Sequence, residues 1–506
     1  MRPYKEKMLT SNKRKLSKKR KLNNDDYSGE VDRLSSLPDS LLITILSLVD
    51  PINSAAATSV LSHRWRHLWT QITHVSLGPW TSWKYIHNLR DFNNVVNHIL
   101  FQLTSSKLYT FCLHLPSLDN LNNKDQEFDE FNSGVRDCIV SVAPWIQLVS
   151  RRNPEVITVT FNDSYSFRFL EMPPVPASLL QTQSLVTLDL IAHIELTFPK
   201  DDLRVNLPNL KKLCMNLYDS QRRVMDTLFR SCPLLEHLLL YLHLKQPDHL
   251  IHISAPNLKD LKINMEESPL LSIHTKFVVN TPKLEHFKVK GLLAVYDFVT
   301  NPTYLRLVKM TLQRRNAIDR DFVNARQGLF RGICCVRNIK LVDYYRSTII
   351  RLLDFVAGLN GLPSYHNLVY LRFHCSESDY DFNVIHNNWR PQFPSCWSAN
   401  LKRIDVSVKI RNNRVEMNLL SNILSSATAL EQLLVSPPKV KPSARPNQLW
   451  NEYTFCRELF MRPRSSPTSK IHFTGKMMTA SCNDFSYDKD ELTCKILKQN
   501  IRPYNR

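Results

Sequence analysis

The sequence predicts an α/β solenoid: an N-terminal three-helix unit, then an irregular stack of strand-bearing repeats, then a region that caps the open end of the stack. Three observations carry this. Residues 32–69 compress three helical patterns into fewer than forty residues. Beyond them, a triplet of large apolar residues at i, i+3 and i+5 recurs along the chain. Between some copies lie stretches with helical periodicity, which a repeat of one strand and one return segment requires.

The chain opens on a basic tail, residues 1–29. Residues 1–22 hold ten Lys or Arg against Glu6 alone, so +9 of the net charge of +20 sits in a segment with few apolar side chains. Such a segment is expected to stay disordered. Lys13, Arg14, Lys15, Lys18, Lys19, Arg20 and Lys21 read as a nuclear import signal or as a nonspecific polyanion contact, since both need dense exposed positive charge.

Residues 30–70 form the helical unit. Ser36 and Leu37 precede Pro38, which fits a first helical turn because that turn does not use its missing N–H, and Asp39 suits the positive helix end. Leu42, Ile45, Leu46 and Val49 repeat at i, i+3, i+4 and i+7 as one apolar stripe, and Leu41 and Leu48 widen it to nearly two sides of the helix. Asp50 and Pro51 stop this helix; Asn53 is placed to cap a second through Val60, and Ser62 a third carrying Trp65, Leu68 and Trp69. So small a unit cannot bury all these side chains within itself. Its surplus apolar surface is to be met by another protein or by the rest of the chain.

The segment closely resembles an F-box of the plant form, through Asp32, Arg33, Leu34, Ser35, Leu37, Pro38 and Asp39, then Leu61, Ser62, Arg64, Trp65, Arg66, Leu68 and Trp69. His63 replaces the more usual Lys, and Ser40 the usual acidic residue. The resemblance implies binding of the Skp-type adaptor of a cullin ubiquitin ligase. The residues expected to carry that contact are Leu37, Pro38, Leu41, Leu42, Ile45, Leu46, Val60, Trp65 and Trp69, some of which must instead hold the domain together.

Residues 71–388 carry the repeats. The triplet is clearest at Leu185, Leu210, Leu235, Leu258 and Leu284, spaced 25, 25, 23 and 26 apart, with LP, CP, AP and TP turns before the last four. Its i+3 and i+5 residues point the same way from a short strand. Outlying copies are read at Ile72/Val75/Leu77, Leu108/Phe111/Leu113, Val156/Val159/Phe161, Leu307/Met310/Leu312, Val336/Ile339/Leu341, Leu368/Leu371/Phe373, Leu401/Ile404/Val406 and Leu430/Leu433/Val435. The longer gaps are assigned to helices, as in DFNNVVNHILFQLTSS and VRDCIVSVAPWIQLVSR. The pattern resembles the irregular leucine-rich repeat horseshoe of plant F-box proteins. Residues 389–473 resemble the FBD region of some of those proteins, through Trp389, Pro391, Pro394, Leu401, Lys402, Pro463, Ser465, Ser466, Ile471 and Phe473. This FBD-like C-terminal cap would close the array, as every such array needs. The Pro-rich insertion at 437–448 reads as an exposed loop, and residues 474–506 carry no interpretable pattern.

The even-numbered positions of each triplet, i+2, i+4 and i+6, alternate with the inward apolar ones and should stand on the exposed, concave sheet face. They include Lys262, Lys288, Lys290, Lys309, Lys340 and Arg372, with Asp260 the one acidic interruption, so this face is expected to receive an acidic partner segment or an anionic co-ligand. A chain of net charge +20 would also show many lysines by composition alone.

Other chemistry is thinly represented. With nine glycines and no Walker-type loop or Gly-x-Ser-x-Gly, a nucleotide or serine-hydrolase site is not expected. Eleven cysteines without a Cys-x-x-Cys pair suit a reducing compartment, and Cys334–Cys335 suggests no nucleophile. His237, His243, His249 and His252 lack ligand register for a metal, and Asn162-Asp163-Ser164 is a sequon expected to stay unmodified. Neither a membrane span nor a signal peptide is recognised, so a soluble, non-secreted, nuclear or nucleocytoplasmic protein is expected, with no cofactor. The resemblance implies a non-catalytic substrate-recognition subunit of a Skp-cullin-F-box ligase, partnered by the adaptor, the cullin and an unknown protein substrate. A non-degradative adaptor-binding scaffold is the alternative. A nucleic-acid binder ranks last, because basic and aromatic residues are not interleaved.

Overall fold

The computed structural model describes residues 33–50, 52–78, 89–115, 128–161, 175–191, 204–218, 222–243, 250–265, 275–291, 294–312, 323–324, 326–343, 346–375, 390–407, 414–437, 448–482 and 493–496. The basic tail, Asp32, Pro51, the sequon, His249, Trp389 and most of the Pro-rich insertion lie outside them.

The helical unit comprises α1 (Asp39–Ser47), α2 (Ile52–Ala57) and two 3₁₀ stretches, Thr58–Val60 and Trp65–Gln71. Pro38 stands as the N-cap of α1, and its carbonyl accepts from the Leu41 and Leu42 N–H groups. Two expected cap positions shift: Asn53 lies inside α2, and the last segment, a 3₁₀ helix, has Arg64 and not Ser62 at its N-cap position. Arg64 fastens this segment to the first. Its guanidinium donates to Asp39 Oδ1 at 2.7 Å and to the carbonyls of Ser35 and Leu37. Leu42, Leu46, Ile52, Ala55, Trp65 and Leu68 close the core of the unit, which runs on without a break into Ile72, Val75 and Leu77. Ser47 Oγ, accepting from the Thr73 N–H at 3.0 Å, ties α1 to the first repeat.

Sixteen strands among the described residues form one sheet. They are β1 (His74–Leu77), β2 (Thr110–Leu115), β3 (Val156–Phe161), β4 (Thr187–Ile191), β5 (Lys212–Tyr218), β6 (His237–His243), β8 (Asp260–Met265), β10 (His286–Gly291), β12 (Leu307–Leu312), β13 (Asn338–Asp343), β14 (Tyr370–Cys375), β15 (Arg403–Ser407), β16 (Gln432–Ser436), β17 (Lys470–Thr474), β18 (Met478–Cys482) and β19 (Thr493–Ile496). From β1 to β17 every pairing is parallel, and β18 and β19 join antiparallel. The stack is a solenoid-like α/β fold.

Each leading leucine has a defined task. The N–H groups of Leu210, Leu235, Leu258 and Leu284 donate to the carbonyls three residues earlier, across turns that carry Pro208, Pro233, Pro256 and Pro282. Pro fits the second position of such a turn because its φ is already set. The leucine side chain is thereby turned beneath the following strand, and all four are fully buried.

Two outlying triplets shift by two residues. Ile157 pairs with Phe111 and Val159 with Leu113, so that unit reads Pro154/Ile157/Val159. Val308 pairs with Phe287 and Met310 with Val289, so the other reads Leu305/Val308/Met310, with Leu305 buried and Leu307 only partly so. A slip of two preserves side-chain parity, so alternation alone could not settle it.

Not every gap holds a helix. β7 (Leu250–Ser254), β9 (Lys276–Asn280) and β11 (Val295–Phe298) form a second parallel sheet, in the order β11-β9-β7. Tyr296 stacks on Phe277 at 5.1 Å and meets Phe287 of β10 edge-on at 5.3 Å, which joins the two sheets. α6 (Arg222–Arg230) packs against β7, and α7 (Gln327–Gly332) against β11. The remaining return segments are α3 (Leu89–Gln102), α4 (Phe128–Ser150), α5 (Ala177–Leu180), α8 (Arg346–Ala357), α9 (Ser395–Ser398) and α10 (Arg414–Ser426). Trp145 of α4 packs edge-on to Phe92 of α3 and donates to Asn97 Oδ1 at 2.7 Å.

At the far end, α11 (Gln448–Phe460) carries the buried Glu452. Its carboxylate accepts from the N–H groups of Lys476, Met477 and Met478 at 2.9 to 3.2 Å, fixing the turn where the sheet changes from parallel to antiparallel. Gly475 is needed there, since a Cβ would sit 2.2 Å from Glu452 Oε2.

Candidate functional site

Two surfaces carry the residues singled out from the sequence. On the helical unit, α1 has two apolar faces. Leu42 and Leu46 point inward and are 0% and 3% exposed, and Trp65 is 5% exposed. These three hold the unit together and are not offered to a partner, which corrects their assignment as contact residues. An adjacent face presents Leu41, Ile45 and Leu48 at i, i+4 and i+7, all exposed. Leu34, Val60 and Leu61 add to the exposed apolar area, Val60 at 86%. Pro38 is exposed, and Leu37 and Trp69 are partly buried against the core. The sequence reading missed Leu34, Leu48 and Leu61 as solvent-facing groups, although Leu48 already lay on the second side of the helix.

The second surface is the outer face of the long sheet. Lys262 of β8 is in register with Lys288 of β10, Lys288 with Lys309 of β12, Lys309 with Lys340 of β13, and Lys340 with Arg372 of β14. Five cations therefore stand side by side on five adjacent strands. Correcting the β12 triplet to start at Leu305 puts Lys309 at the same i+4 position as the other four. Lys290 lies on the same face, two residues beyond Lys288.

Composition does not produce this run. With 66 Lys and Arg in 506 residues, a cation at any one position is uncommon. The same row on β1 to β6 reads Ser76, Cys112, Thr158, Asp189, Cys214 and Leu239, without a cation. Beyond Arg372 it continues with Asp405, Leu434 and His472. Neighbouring strands lie about 4.8 Å apart, and unit charges at about 5 Å repel by about 0.8 kcal/mol even in bulk water.

Among the described residues, the carboxylates at the two ends of the row are engaged elsewhere. Asp260 accepts from His237 Nδ1 at 2.7 Å and His286 Nδ1 at 2.8 Å. Asp405 is held by Arg403 at 3.0 Å and by the Tyr370 hydroxyl at 2.7 Å. Among the described residues, none of Lys262, Lys288, Lys309, Lys340 and Arg372 has a salt-bridge or hydrogen-bond partner. Nearer the helical unit, burial pushes the Asp189 carboxyl up even though Lys212 lies 3.7 Å away, and burial also pushes up the thiols of Cys112 and Cys214.

The described residues assemble no metal-binding group of three or more His, Cys, Asp or Glu, and no described helix is long and apolar enough to cross a membrane. Cys334 and Cys335 lie in the turn after α7, not on a strand, and burial pushes the Cys334 thiol up to about 11. The Cys138 and Cys232 thiols, buried in the core, are pushed up to about 12. A thiol so raised is a poor nucleophile.

A helical unit with one outward apolar stripe, seated on the first strand of a parallel repeat array, is the arrangement that the resemblance to an F-box followed by leucine-rich repeats implies. The comparisons with known proteins agree. Residues 34–73 match the F-box domain, and residues 142–298 match the repeats described as "FBD-associated F-box protein At5g56370, LRR repeats". The chain is similar to F-box/LRR-repeat protein 13 of Arabidopsis thaliana, 24% identical over 473 residues that cover 88% of this chain and 96% of the relative. It is likewise similar to F-box/FBD/LRR-repeat protein At1g13780 of the same organism, 24% identical over 448 residues, 80% of this chain and 91% of the relative. A shorter match, 31% identical over 216 residues and 42% of each chain, is to F-box/FBD/LRR-repeat protein At2g04230 of Arabidopsis thaliana. The resemblance read from the F-box, repeat and FBD motifs is thereby borne out.

Proposed function

We propose that this chain is the non-catalytic substrate-recognition subunit of a Skp-cullin-F-box ubiquitin ligase. A three-helix F-box tethers it to the Skp-type adaptor and so to the cullin, a horseshoe of repeats holds a target protein, and the FBD-like region caps the array. The observation that carries this reading is the solvent-facing stripe Leu41, Ile45 and Leu48, with Leu34, Val60 and Leu61 beside it, inside a segment that matches the F-box domain. Large apolar side chains grouped in the open form the centre of an interface. Such a receptor contributes proximity: it raises the local concentration of a target near a conjugating enzyme that other subunits bring.

The test is co-purification of a Skp-type adaptor with the full chain. Replacing Leu41 and Ile45 by Asp is expected to abolish it while circular dichroism and thermal unfolding stay as in the wild type. Undiminished adaptor capture by that variant would sink the reading. Replacing Leu37 and Pro38 by Ala is a milder version of the same test. Nuclear entry through Lys13, Arg14, Lys15, Lys18, Lys19, Arg20 and Lys21 belongs to the same proposal, on the charge of that segment alone. Neutralising Lys18 to Lys21 in a fusion too large to diffuse through nuclear pores should retain it in the cytoplasm; an unchanged distribution refutes the signal.

A further inference from the structure

We propose that the row Lys262, Lys288, Lys309, Lys340 and Arg372 is the docking track for an Asp/Glu-rich segment of the target protein, bound extended and running across the strands. The inference rests on the receptor reading above and narrows it from an unspecified target to a chemical class. Charge complementarity selects the occupant. Five cations occupy one register position on adjacent strands, and the two carboxylates that flank them, Asp260 and Asp405, are already engaged.

Geometry selects the length. Four inter-strand steps of about 4.8 Å make a track about 19 Å long, and an extended peptide advances about 3.4 Å per residue, so about six residues lie along it. Alternate side chains of such a peptide face the sheet, which brings about three carboxylates over five cations. The long, flexible lysine stems take up the difference in spacing. Lys290, beside Lys288, widens the track at one strand and can reach a fourth carboxylate.

Two other polyanions fit less well. Single-stranded nucleic acid is held by aromatic side chains on which bases stack. Among the described residues, the outer face of β8, β10, β12, β13 and β14 carries one six-membered ring, Tyr370, already bonded to Asp405 through its hydroxyl and lying under the Arg403 guanidinium at 5.7 Å, and two imidazoles at the strand ends, His286, engaged with Asp260, and His374. A compact polyphosphate wants cations gathered around a point, whereas these are spread along a line. Extended acidic polypeptide is the class that matches a line of charge without stacking partners.

The probe is a fluorescein-labelled deca-glutamate peptide, followed by anisotropy on the purified full chain at low salt. A neutral Gly-Ser peptide, a thymidine decanucleotide and inositol hexakisphosphate are run beside it. The triple variant Lys288→Glu, Lys309→Glu, Lys340→Glu is expected to bind the peptide at least tenfold more weakly than the wild type. A control of equal charge change elsewhere, Arg151→Glu, Lys211→Glu, Lys283→Glu, is expected to keep most of the affinity, and both variants should unfold at the wild-type temperature. Equal loss in the two variants, or none in the first, overturns the track. Tighter ladder-dependent binding of the oligonucleotide or of inositol hexakisphosphate than of the peptide overturns the substrate class. Adaptor co-purification is read on the same samples. Its failure in the wild type sinks the receptor reading and leaves the peptide measurement to decide the track by itself.

Discussion

The two exposed surfaces of this molecule are built from opposite materials. On the F-box, solvent meets Leu41, Ile45, Leu48 and Val60. On β8 to β14 it meets one Arg and four Lys in a row. An apolar surface is stabilised in proportion to the area removed from water and is not weakened by the screening of charge. A cationic surface attracts at a distance, selects by charge and weakens as ions screen it. The difference teaches a division of labour: the first surface suits a lasting partner, the second one that arrives and leaves.

The largest expected effect breaks the first surface alone. With both Leu41 and Ile45 changed to Asp, adaptor affinity should fall more than a hundredfold in a titration, because charges are then desolvated at the interface centre. Leu46→Ala tests the inward face of the same helix. It should cost about 2 to 5 kcal/mol of stability by denaturant unfolding, through the cavity it leaves. Glu452→Ala lies far from both surfaces and strands three N–H groups at the turn. A loss of about 1 to 3 kcal/mol is expected, with both binding activities intact once the protein is folded. Raising salt from about 50 to about 200 mM sharpens the comparison directly: peptide affinity should drop about tenfold and adaptor affinity less than twofold. The smallest effect is expected at Arg64→Ala. Its pair with Asp39 is largely solvent-exposed, and the loss of the carbonyl contacts as well should cost about 1 kcal/mol in the same unfolding assay.

Much of the fold was legible because the repeat forces it. A leucine that must turn in beneath a strand after a Pro-containing turn recurs at nearly constant intervals, and the five clearest triplets sit where the spacing put them. The register of β3 and β12 was not legible, since Val156 and Leu307 are apolar enough to imitate the leading residue two places away. The second sheet was missed although Ile251/Ile253, Phe277/Val279 and Tyr296/Phe298 alternate cleanly, because so short a strand leaves a signal that a loop also gives. β18 and β19 fall in a stretch with no recognisable pattern. For the surfaces, the sequence put apolar residues on two sides of α1 but could not tell which side faced the core, since both sides are apolar. That decision belongs to packing against Trp65 and Leu68. Side-chain parity sufficed for the lysines. Their alignment in one row needed the pairing of the strands.

The constant step of the sheet also makes it a ruler. β1, beside the F-box, and β8, where the cations begin, are separated by six inter-strand steps, or about 29 Å across the sheet. Each repeat touches only its neighbours. In a receptor, one repeat added or removed between β2 and β6 would therefore move the reader about 4.8 Å nearer to or farther from the tether without altering the chemistry of either. Target lysines at different heights above the track would then come into or out of range of the transferring enzyme. Repeat number, in such a chain, is a setting of reach.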